Sequence, residues 1–223
     1  FFFSITHLSA VVQLSFSLLA SLFYSEISQH MGQHVLLSFF TGRYHKPVVE
    51  ERIFMFVDMK DSTTIAEKLG HTSYFELLRS YYAEFSEAII KNQGLVYQYV
   101  GDEIVITWEL DQGLKDNQCL SCFYDMKNDL SKKESTYLKK FNVVPSFKAA
   151  LHYGQVTTGE IGALKKDIFF TGDVLNTTAR ILSLTSTYKE DVLISGALSR
   201  KLNLSNTYTA KPLGTPPLKG KTD

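Results

Sequence analysis

Charged residues are absent from the first 25 positions of this 223-residue chain and recur throughout the rest. A helix rises about 1.5 Å per residue, so residues 1–25 are long enough to cross a hydrocarbon core of about 30 Å. Six serines make this stretch a poor lipid-facing span, which favours a helix packed among other membrane helices. We predict a transmembrane helix over residues 1–25, as the end of a membrane region in a chain that begins mid-protein. A buried soluble helix is the alternative, and a signal peptide is disfavoured because no basic residue precedes the apolar stretch.

A helical period of apolar residues continues through residues 26–40. Gly42 favours the end of that helix, and Pro47 enforces an extended chain. The sequence therefore predicts an amphipathic helix and then a short segment that leads into the first strand.

From residue 50 onward, strand-like and helix-like stretches alternate. Ile53–Val57 is an apolar run of β-forming residues that ends on Asp58, and Asp61-Ser62-Thr63 supplies N-cap residue types for a following helix. Two β-rich runs around Gly101-Asp102 predict a tight hairpin. The sequence also predicts a helix over Tyr74–Lys91 and a helix over Leu114–Lys140. A strand pair around Gly154 (Phe147–His152 and Gln155–Ile161) and a strand at Val192–Ser195 are predicted as well. The core stripe of the first of these helices contains Phe75, Leu78, Tyr82, Phe85 and Ile89. The order β-α-β-β-α-β indicates an α+β domain of ferredoxin-like topology over residues 50–223.

Composition and charge narrow the function classes. A formal net charge of zero gives no sign of the basic patch that nucleic-acid binding normally requires, so no nucleic-acid partner is expected. Cys119 and Cys122 have C-x-x-C spacing, but no second cysteine pair completes a zinc site. Because both lie on the apolar stripe of a predicted helix, we interpret them as buried thiols in a reducing compartment.

Two aspartates occupy positions where a metal ion can bind. Asp58 ends a predicted strand and Asp102 lies at a predicted hairpin tip. Paired carboxylates of this kind suit two Mg²⁺ or Mn²⁺ ions, with substrate phosphates completing the coordination. The helix N-terminus after Asp58 offers backbone N–H groups to phosphate, so Met59, Ser62 and Thr63 are predicted to contact the substrate. Each motif alone also fits an ordinary strand end or hairpin.

A third motif is Gly172-Asp173-Val174-Leu175-Asn176-Thr177-Thr178-Ala179-Arg180, which places Asn176 and Arg180 on one helix face. It is similar to the G-x-x-V-N-x-A-x-R pattern of the class III nucleotide cyclase catalytic domain, with Leu175 in place of the usual Val. Asp58 and Asp102 precede it in the order of that family's metal-binding aspartates. From about Glu50 to its end, the chain therefore resembles an adenylate/guanylate cyclase domain of the bacterial membrane-linked type.

The resemblance implies a reaction and a site for it. A nucleoside triphosphate would be converted into its 3′,5′-cyclic nucleotide and pyrophosphate for intracellular signalling. Asp58 and Asp102 would hold two metal ions, Arg180 would stabilise charge at the α-phosphate, and Asn176 would orient the ribose. In the family these groups come from different protomers, so the resemblance implies a homodimer with shared active sites.

The resemblance also implies an arrangement of the whole chain. Residues 26–49 would be a connector helix and coupling segment between an input region and the catalytic domain. The chain would be anchored in the inner or plasma membrane by its N-terminal helix, with the catalytic domain in the cytoplasm, where triphosphate is available.

The residues expected to contact the base depart from the family pattern. Gln98 stands where adenylate-forming relatives have Lys, and Phe169 stands where they have Asp, Thr or Ser. Gln98 can pair with the edge of several bases, whereas Phe169 can only stack or pack. ATP is the first choice because Gln retains an N–H donor, and GTP or a pyrimidine triphosphate remains open.

Other classes of function are compatible with parts of the sequence. A catalytically silent regulatory module would normally have lost one of Asp58, Asp102, Asn176 and Arg180, and all four are present. A role as a scaffold protein does not explain why two aspartates lie at a strand end and a hairpin tip. A different phosphoryl-transfer enzyme with a two-metal site is disfavoured by the Asn176/Arg180 pair.

Overall fold

The computed structural model describes residues 5–31, 42–162, 167–204 and 207–215. The chain divides into two units. The first unit comprises residues 1–48 and 158–169, and the second comprises residues 49–157 and 170–223.

In the described part of the chain, six strands form one sheet in the order β2-β3-β1-β4-β5, with β6 parallel to β4. The strands are β1 (Val48–Met59), β2 (Leu95–Val100), β3 (Glu103–Glu109), β4 (Phe147–Ile161), β5 (Asp167–Thr171) and β6 (Val192–Ile194). Strand β3 pairs antiparallel with both β1 and β2. The order 2-3-1-4 of the first four strands confirms the ferredoxin-like topology, to which β5 and β6 are additions.

The helices are α1 (Ile5–Met31), α2 (Ser62–Lys91), α3 (Leu110–Leu114), α4 (Gln118–Lys132), α5 (Glu134–Phe141), α6 (Asp173–Tyr188) and α7 (Gly196–Ser199). Gly70, with φ of 73°, interrupts α2 and separates a short first segment from the long helix that follows. The core of the second unit lies between the sheet and helices α2 and α4, where Phe85, Trp108 and Phe123 are fully buried. Cys119 and Cys122 are free and buried in this core, as their place on the apolar stripe predicts.

The first unit joins the chain after α1 to the far end of β4. The backbone N–H of Glu160 donates to the carbonyl of Tyr44 at 3.0 Å, and the Glu160 carboxylate lies 3.3 Å from His45 Nε2. Gly159 faces Pro47, because a Cβ at position 159 would lie 3.4 Å from the Pro47 Cα. The segment before β1 is thus fixed to the C-terminal end of β4 by side-chain and backbone contacts.

Helix α1 extends beyond the predicted boundary at residue 25. Within it, His7–Glu26 is long and apolar enough to span a membrane, with a mean hydropathy of 1.5, and none of that stretch is buried. The predicted transmembrane helix over residues 1–25 stays a prediction. The predicted continuation of the helix from residue 32 to residue 40 lies outside the described residues.

The predicted strand pair around Gly154 is wrong, because β4 runs unbroken from Phe147 to Ile161. Glycine at position 154 serves close packing: a Cβ there would lie 3.2 Å from the Cβ of Val174 on α6. Strand β5, which begins at Asp167, is the neighbour of β4 in the sheet.

Two helix predictions also need correction. The single helix over residues 114–140 is broken, because Asp116 and Asn117 have φ of 51° and 54°, outside the helical region. On α2 the core face contains Leu77 and Tyr81, whereas Phe75 is 70% exposed. Neighbouring apolar residues on this helix create two adjacent stripes, so periodicity alone could not choose between them.

Candidate active site

Asp58 lies one residue before the end of β1, beside a lysine of the neighbouring strand. Its Oδ2 atom is 3.2 Å from Lys148 Nζ on β4, and both side chains are mostly buried. Burial raises the pKa of Asp58 above its ordinary value of 3.8, and the Lys148 ammonium opposes that effect. The negative charge of Asp102 raises the pKa of Asp58 further, which places the two aspartates in one electrostatic site.

The predicted hairpin forms between β2 and β3, with Gly101 at its tip in the left-handed region at φ of 63°. Asp102 follows directly and is partly buried. Its Oδ2 atom is fully buried and has no hydrogen-bond partner among the described residues. A buried carboxylate oxygen without a donor is costly, so it identifies a place where a cation is needed.

Glu103 is a third carboxylate that sequence reasoning missed. It lies opposite Asp58 in the β1–β3 register. Burial raises the pKa of Glu103, and the charges of Asp58 and Asp102 raise it further. The predicted hairpin tip at Gly101-Asp102 could have identified Glu103, because the residue after the tip is the first residue of β3.

The donor set fits a hard divalent cation. Asp58 and Asp102 offer carboxylate oxygens, and the described residues contain no group of three or more His, Cys, Asp or Glu that could hold a metal ion. A two-carboxylate site of this kind leaves coordination positions for water and substrate phosphates, as Mg²⁺ sites commonly do. The composition of the site therefore agrees with Mg²⁺ or Mn²⁺ and gives no support for zinc.

The turn after Asp58 is built differently from the prediction. Met59 is buried in the core, so only its backbone can face a ligand. Helix α2 begins at Ser62, and Asp61 stands at the N-cap with φ of 55° but no side-chain capping bond. Ser62 is partly exposed and Thr63 exposed, so both are accessible at the helix N-terminus.

A cavity of about 290 Å³ adjoins this turn. Three lysines line it together with acidic and hydroxyl groups: the lining residues are Lys60, Asp61, Lys148, Thr185, Ser186, Lys189 and Glu190. Lys148 thus belongs both to the cavity and to the Asp58 ion pair. Lys60 is bound to Asp191, which also accepts from Lys127.

Asn176 and Arg180 lie one turn apart on α6, as predicted. Asn176 is exposed and Arg180 partly exposed. Among the described residues, no hydrogen bond or ion pair joins either side chain to Asp58 or Asp102. Thr178, which stands where the motif has Ala, is buried, and its hydroxyl donates to the Val174 carbonyl at 2.7 Å.

The two residues expected to contact the base fall in different units. Gln98 is exposed on β2, after a bulge that follows Val96. Phe169 belongs to the first unit, on β5, and is 45% exposed. Each has a side chain free to contact a ligand.

The family model of the adenylate and guanylate cyclase catalytic domain matches residues 45–223. The chain belongs to this family. It is 37% identical over 200 residues to adenylate cyclase 2 of Rhizobium meliloti (strain 1021), a match that covers 90% of this chain and 55% of the relative. Adenylate cyclase 1 of the same organism is 27% identical over 77% of this chain and 26% of its own length. The cyclase chain thus spans about half the length of the first relative and about a quarter of the second.

Solved cyclase structures share its fold. A bacterial light-regulated adenylyl cyclase superposes with a TM-score of 0.72 at 22% identity, covering 86% of this chain and 58% of the other. The adenylyl cyclase CyaB from P. aeruginosa gives a TM-score of 0.69 at 19% identity, covering 80% of this chain and 92% of the other. These likenesses confirm the α+β cyclase fold.

Proposed function

We propose that this protein is an adenylate cyclase, which converts ATP into 3′,5′-cyclic AMP and pyrophosphate. The 3′-oxygen forms a bond to the α-phosphorus, the bond from that phosphorus to the β-bridging oxygen breaks, and the 3′-hydroxyl proton passes to solvent. The observation that carries the proposal is the unpartnered, buried Asp102 Oδ2 beside Asp58 in a member of the cyclase family. The relatives in Rhizobium meliloti are named adenylate cyclases, which supports ATP as the substrate.

Asp58 and Asp102 are the proposed ligands of two divalent cations. Bound there, Mg²⁺ or Mn²⁺ would lower the pKa of the attacking hydroxyl and neutralise phosphate charge. The three-lysine cavity beside Asp58 suits the β- and γ-phosphates, because ammonium groups are favourable partners for phosphate oxygens. Ser62 and Thr63 at the start of α2 add the N–H groups of a helix N-terminus.

Asn176 and Arg180 are the proposed catalytic groups of a partner protomer. Both are accessible on α6 and make no polar contact with the aspartates of their own chain in its described part. Arg180 would stabilise negative charge on the α-phosphate, and Asn176 would hold the ribose in line for attack. A two-fold homodimer with two shared sites satisfies this arrangement.

Gln98 and Phe169 are the proposed contacts of the base. An amide can donate to and accept from adenine, whereas a phenyl ring provides only stacking. This pair leaves few buried polar groups unmatched by a wrong base, so selectivity should be modest. GTP or a pyrimidine triphosphate is the second candidate, since neither residue follows the adenylate-forming pattern.

The proposed location is a membrane, with α1 as one span and the catalytic domain in the cytoplasm. The exposed apolar segment His7–Glu26 supports a span, and residues 26–49 would connect it to the domain. Fractionation of cells that express the whole chain tests this: recovery in the soluble fraction without detergent would contradict it.

Side-by-side measurement of kcat/KM for ATP, GTP, UTP and CTP with Mn²⁺ tests the reaction and the base. We expect ATP to give the highest value and Asp102→Asn to remove turnover of all four. A preference of tenfold or more, about 1.4 kcal/mol, for another base would reject ATP. No cyclic product from any triphosphate would favour a silent regulatory module.

A further inference from the structure

A tyrosine of α2 is bound to the backbone on both sides of Asp102. The Tyr82 hydroxyl donates to the carbonyl of Gly101 at 2.8 Å, and the carbonyl of Glu103 lies 3.4 Å away. These two carbonyls flank the aspartate in sequence. The hairpin tip is therefore tied to a helix that is not part of the sheet.

Tyr82 is itself held firmly. Its ring packs on Tyr99 of β2 with a centroid separation of 4.6 Å and on Tyr81 at 5.5 Å. Tyr81 is fully buried and packs on Phe85 at 4.5 Å, so the helix beneath Tyr82 is anchored in the core. The Tyr82 hydroxyl is therefore a hydrogen-bond donor in a fixed position.

The β2–β3 hairpin tip has open space on one side, so a hydrogen bond from the Tyr82 hydroxyl can hold it in place. Gly101 adopts φ of 63°, and a Cβ at this position would meet no atom within 4 Å, so the turn has open space beside it. A tyrosine hydroxyl is neutral at physiological pH and therefore able to donate.

We propose that Tyr82 is a positioning residue that holds the hairpin tip so that the Asp102 carboxylate is presented to the metal ion. This inference rests on the proposed metal-binding role of Asp102. Tyr82 contacts neither metal nor substrate; it acts through the backbone of Gly101 and Glu103. Its removal should weaken metal binding while leaving the fold in place.

Tyr82→Phe in the full chain tests the inference, because it removes the hydroxyl and retains the packed ring. Tyr137→Phe is the matched control: it removes a tyrosine hydroxyl that has no hydrogen-bond partner in the described part of the chain. Binding of Mn²⁺ alone is measured from the EPR signal of the free ion, and thermal unfolding is measured without metal. We expect roughly three- to tenfold weaker Mn²⁺ binding for Tyr82→Phe, the effect of losing one hydrogen bond. Tyr137→Phe should bind Mn²⁺ within about twofold of the wild type, since it breaks no hydrogen bond.

Enzyme turnover gives a second readout. A positioning role predicts a higher Mn²⁺ concentration for half-maximal rate, with kcat largely restored when Mn²⁺ is saturating. Unchanged Mn²⁺ binding in Tyr82→Phe, or an equal loss in Tyr137→Phe, would overturn the inference. Asp102→Asn separates it from the proposed function: if that variant still binds Mn²⁺ normally, the metal site itself is wrong. If Asp102→Asn loses binding and Tyr82→Phe does not, only the role of Tyr82 is rejected.

Discussion

Lys148 on β4 forms an ion pair of 3.2 Å with Asp58 on β1, so a protein cation neutralises the proposed metal ligand. The same lysine lines the cavity proposed for the phosphates. If metal binds Asp58 as proposed, the ammonium would be free to contact the triphosphate instead. One residue would thus balance charge in both states of the site.

Lys148→Met should separate these two roles. Removing a cation that lies 3.2 Å from the proposed ligand atom should strengthen Mn²⁺ binding about threefold or more, because the ammonium and the metal ion carry like charges. Loss of a phosphate partner should lower kcat/KM for ATP by roughly tenfold. Mn²⁺ titration and steady-state kinetics measure the two effects, and Lys148→Arg, which keeps the charge, should change both much less. A parallel loss of metal affinity and activity would contradict this account.

Mixing two inactive variants should restore activity if each site is shared. Asp58→Ala lacks a metal ligand and Arg180→Ala lacks the α-phosphate contact, so one site of their heterodimer combines both intact halves. We expect up to about half the wild-type turnover per heterodimer, because one of two equivalent sites is complete.

The matched control for mixing is Asp58→Ala with Asp102→Ala. Both changes affect the same half-site, so neither site of that heterodimer is complete and activity should stay absent. Heterodimers are isolated by two affinity tags before the assay. No recovery in the first pair, with the heterodimer isolated, would indicate a site within one chain.

Asp191→Asn should make stability less dependent on acid pH. Hydrogen bonds from Lys127 and Lys60 lower the pKa of Asp191 below its ordinary value of 3.8 in the folded state. A lowered folded-state pKa stabilises the protein above pH 3.8, and that contribution is lost as the pH falls through the folded-state pKa. We expect the variant to unfold about 2 °C lower at pH 7, with the difference shrinking as the pH falls below 3.8. Calorimetric scans between pH 7 and pH 2.5 measure it; a difference that grows on acidification would have the wrong sign.

Gly172→Ala should displace α6, which carries Asn176 and Arg180. A Cβ at position 172 would lie 2.7 Å from the backbone oxygen of Gln155, so backbone must move. We expect a loss of about 1–3 kcal/mol in unfolding free energy and reduced turnover. Gly196→Ala is the control, because its nearest contact would be an ordinary 3.5 Å to the Arg200 side chain. Urea unfolding and turnover measure both variants, and equal behaviour would refute the steric explanation.

Sequence reasoning succeeded where local chemistry decides the structure. The strand ending near Asp58, the hairpin tip at Gly101-Asp102 and the helix carrying Asn176 and Arg180 all depend on runs of a few residues. Their order along the chain was enough to predict the ferredoxin-like core. The local structure of such a motif is determined by the residues of the motif itself.

Contacts between distant segments could not be predicted in the same way. Lys148 reaches Asp58 only because β4 lies beside β1, and no pattern in either segment indicates the pair. The sequence around Gly154 predicted a turn, whereas in the structure the missing Cβ of Gly154 leaves room for Val174 of α6. On α2, Phe85 and Ile89 are buried as predicted, whereas tertiary packing buries Leu77 and Tyr81 and leaves Phe75 exposed.

The buried state of the two cysteines has a practical consequence for labelling. Burial raises the pKa of Cys119 to about 12, and that of Cys122 is raised as well, so neither forms the reactive thiolate at neutral pH. A cysteine introduced at an exposed position such as Phe75 should therefore react with a maleimide or nitroxide reagent while the native pair remains unmodified. Pairs of spin labels could then report distances across a homodimer in the otherwise unaltered chain.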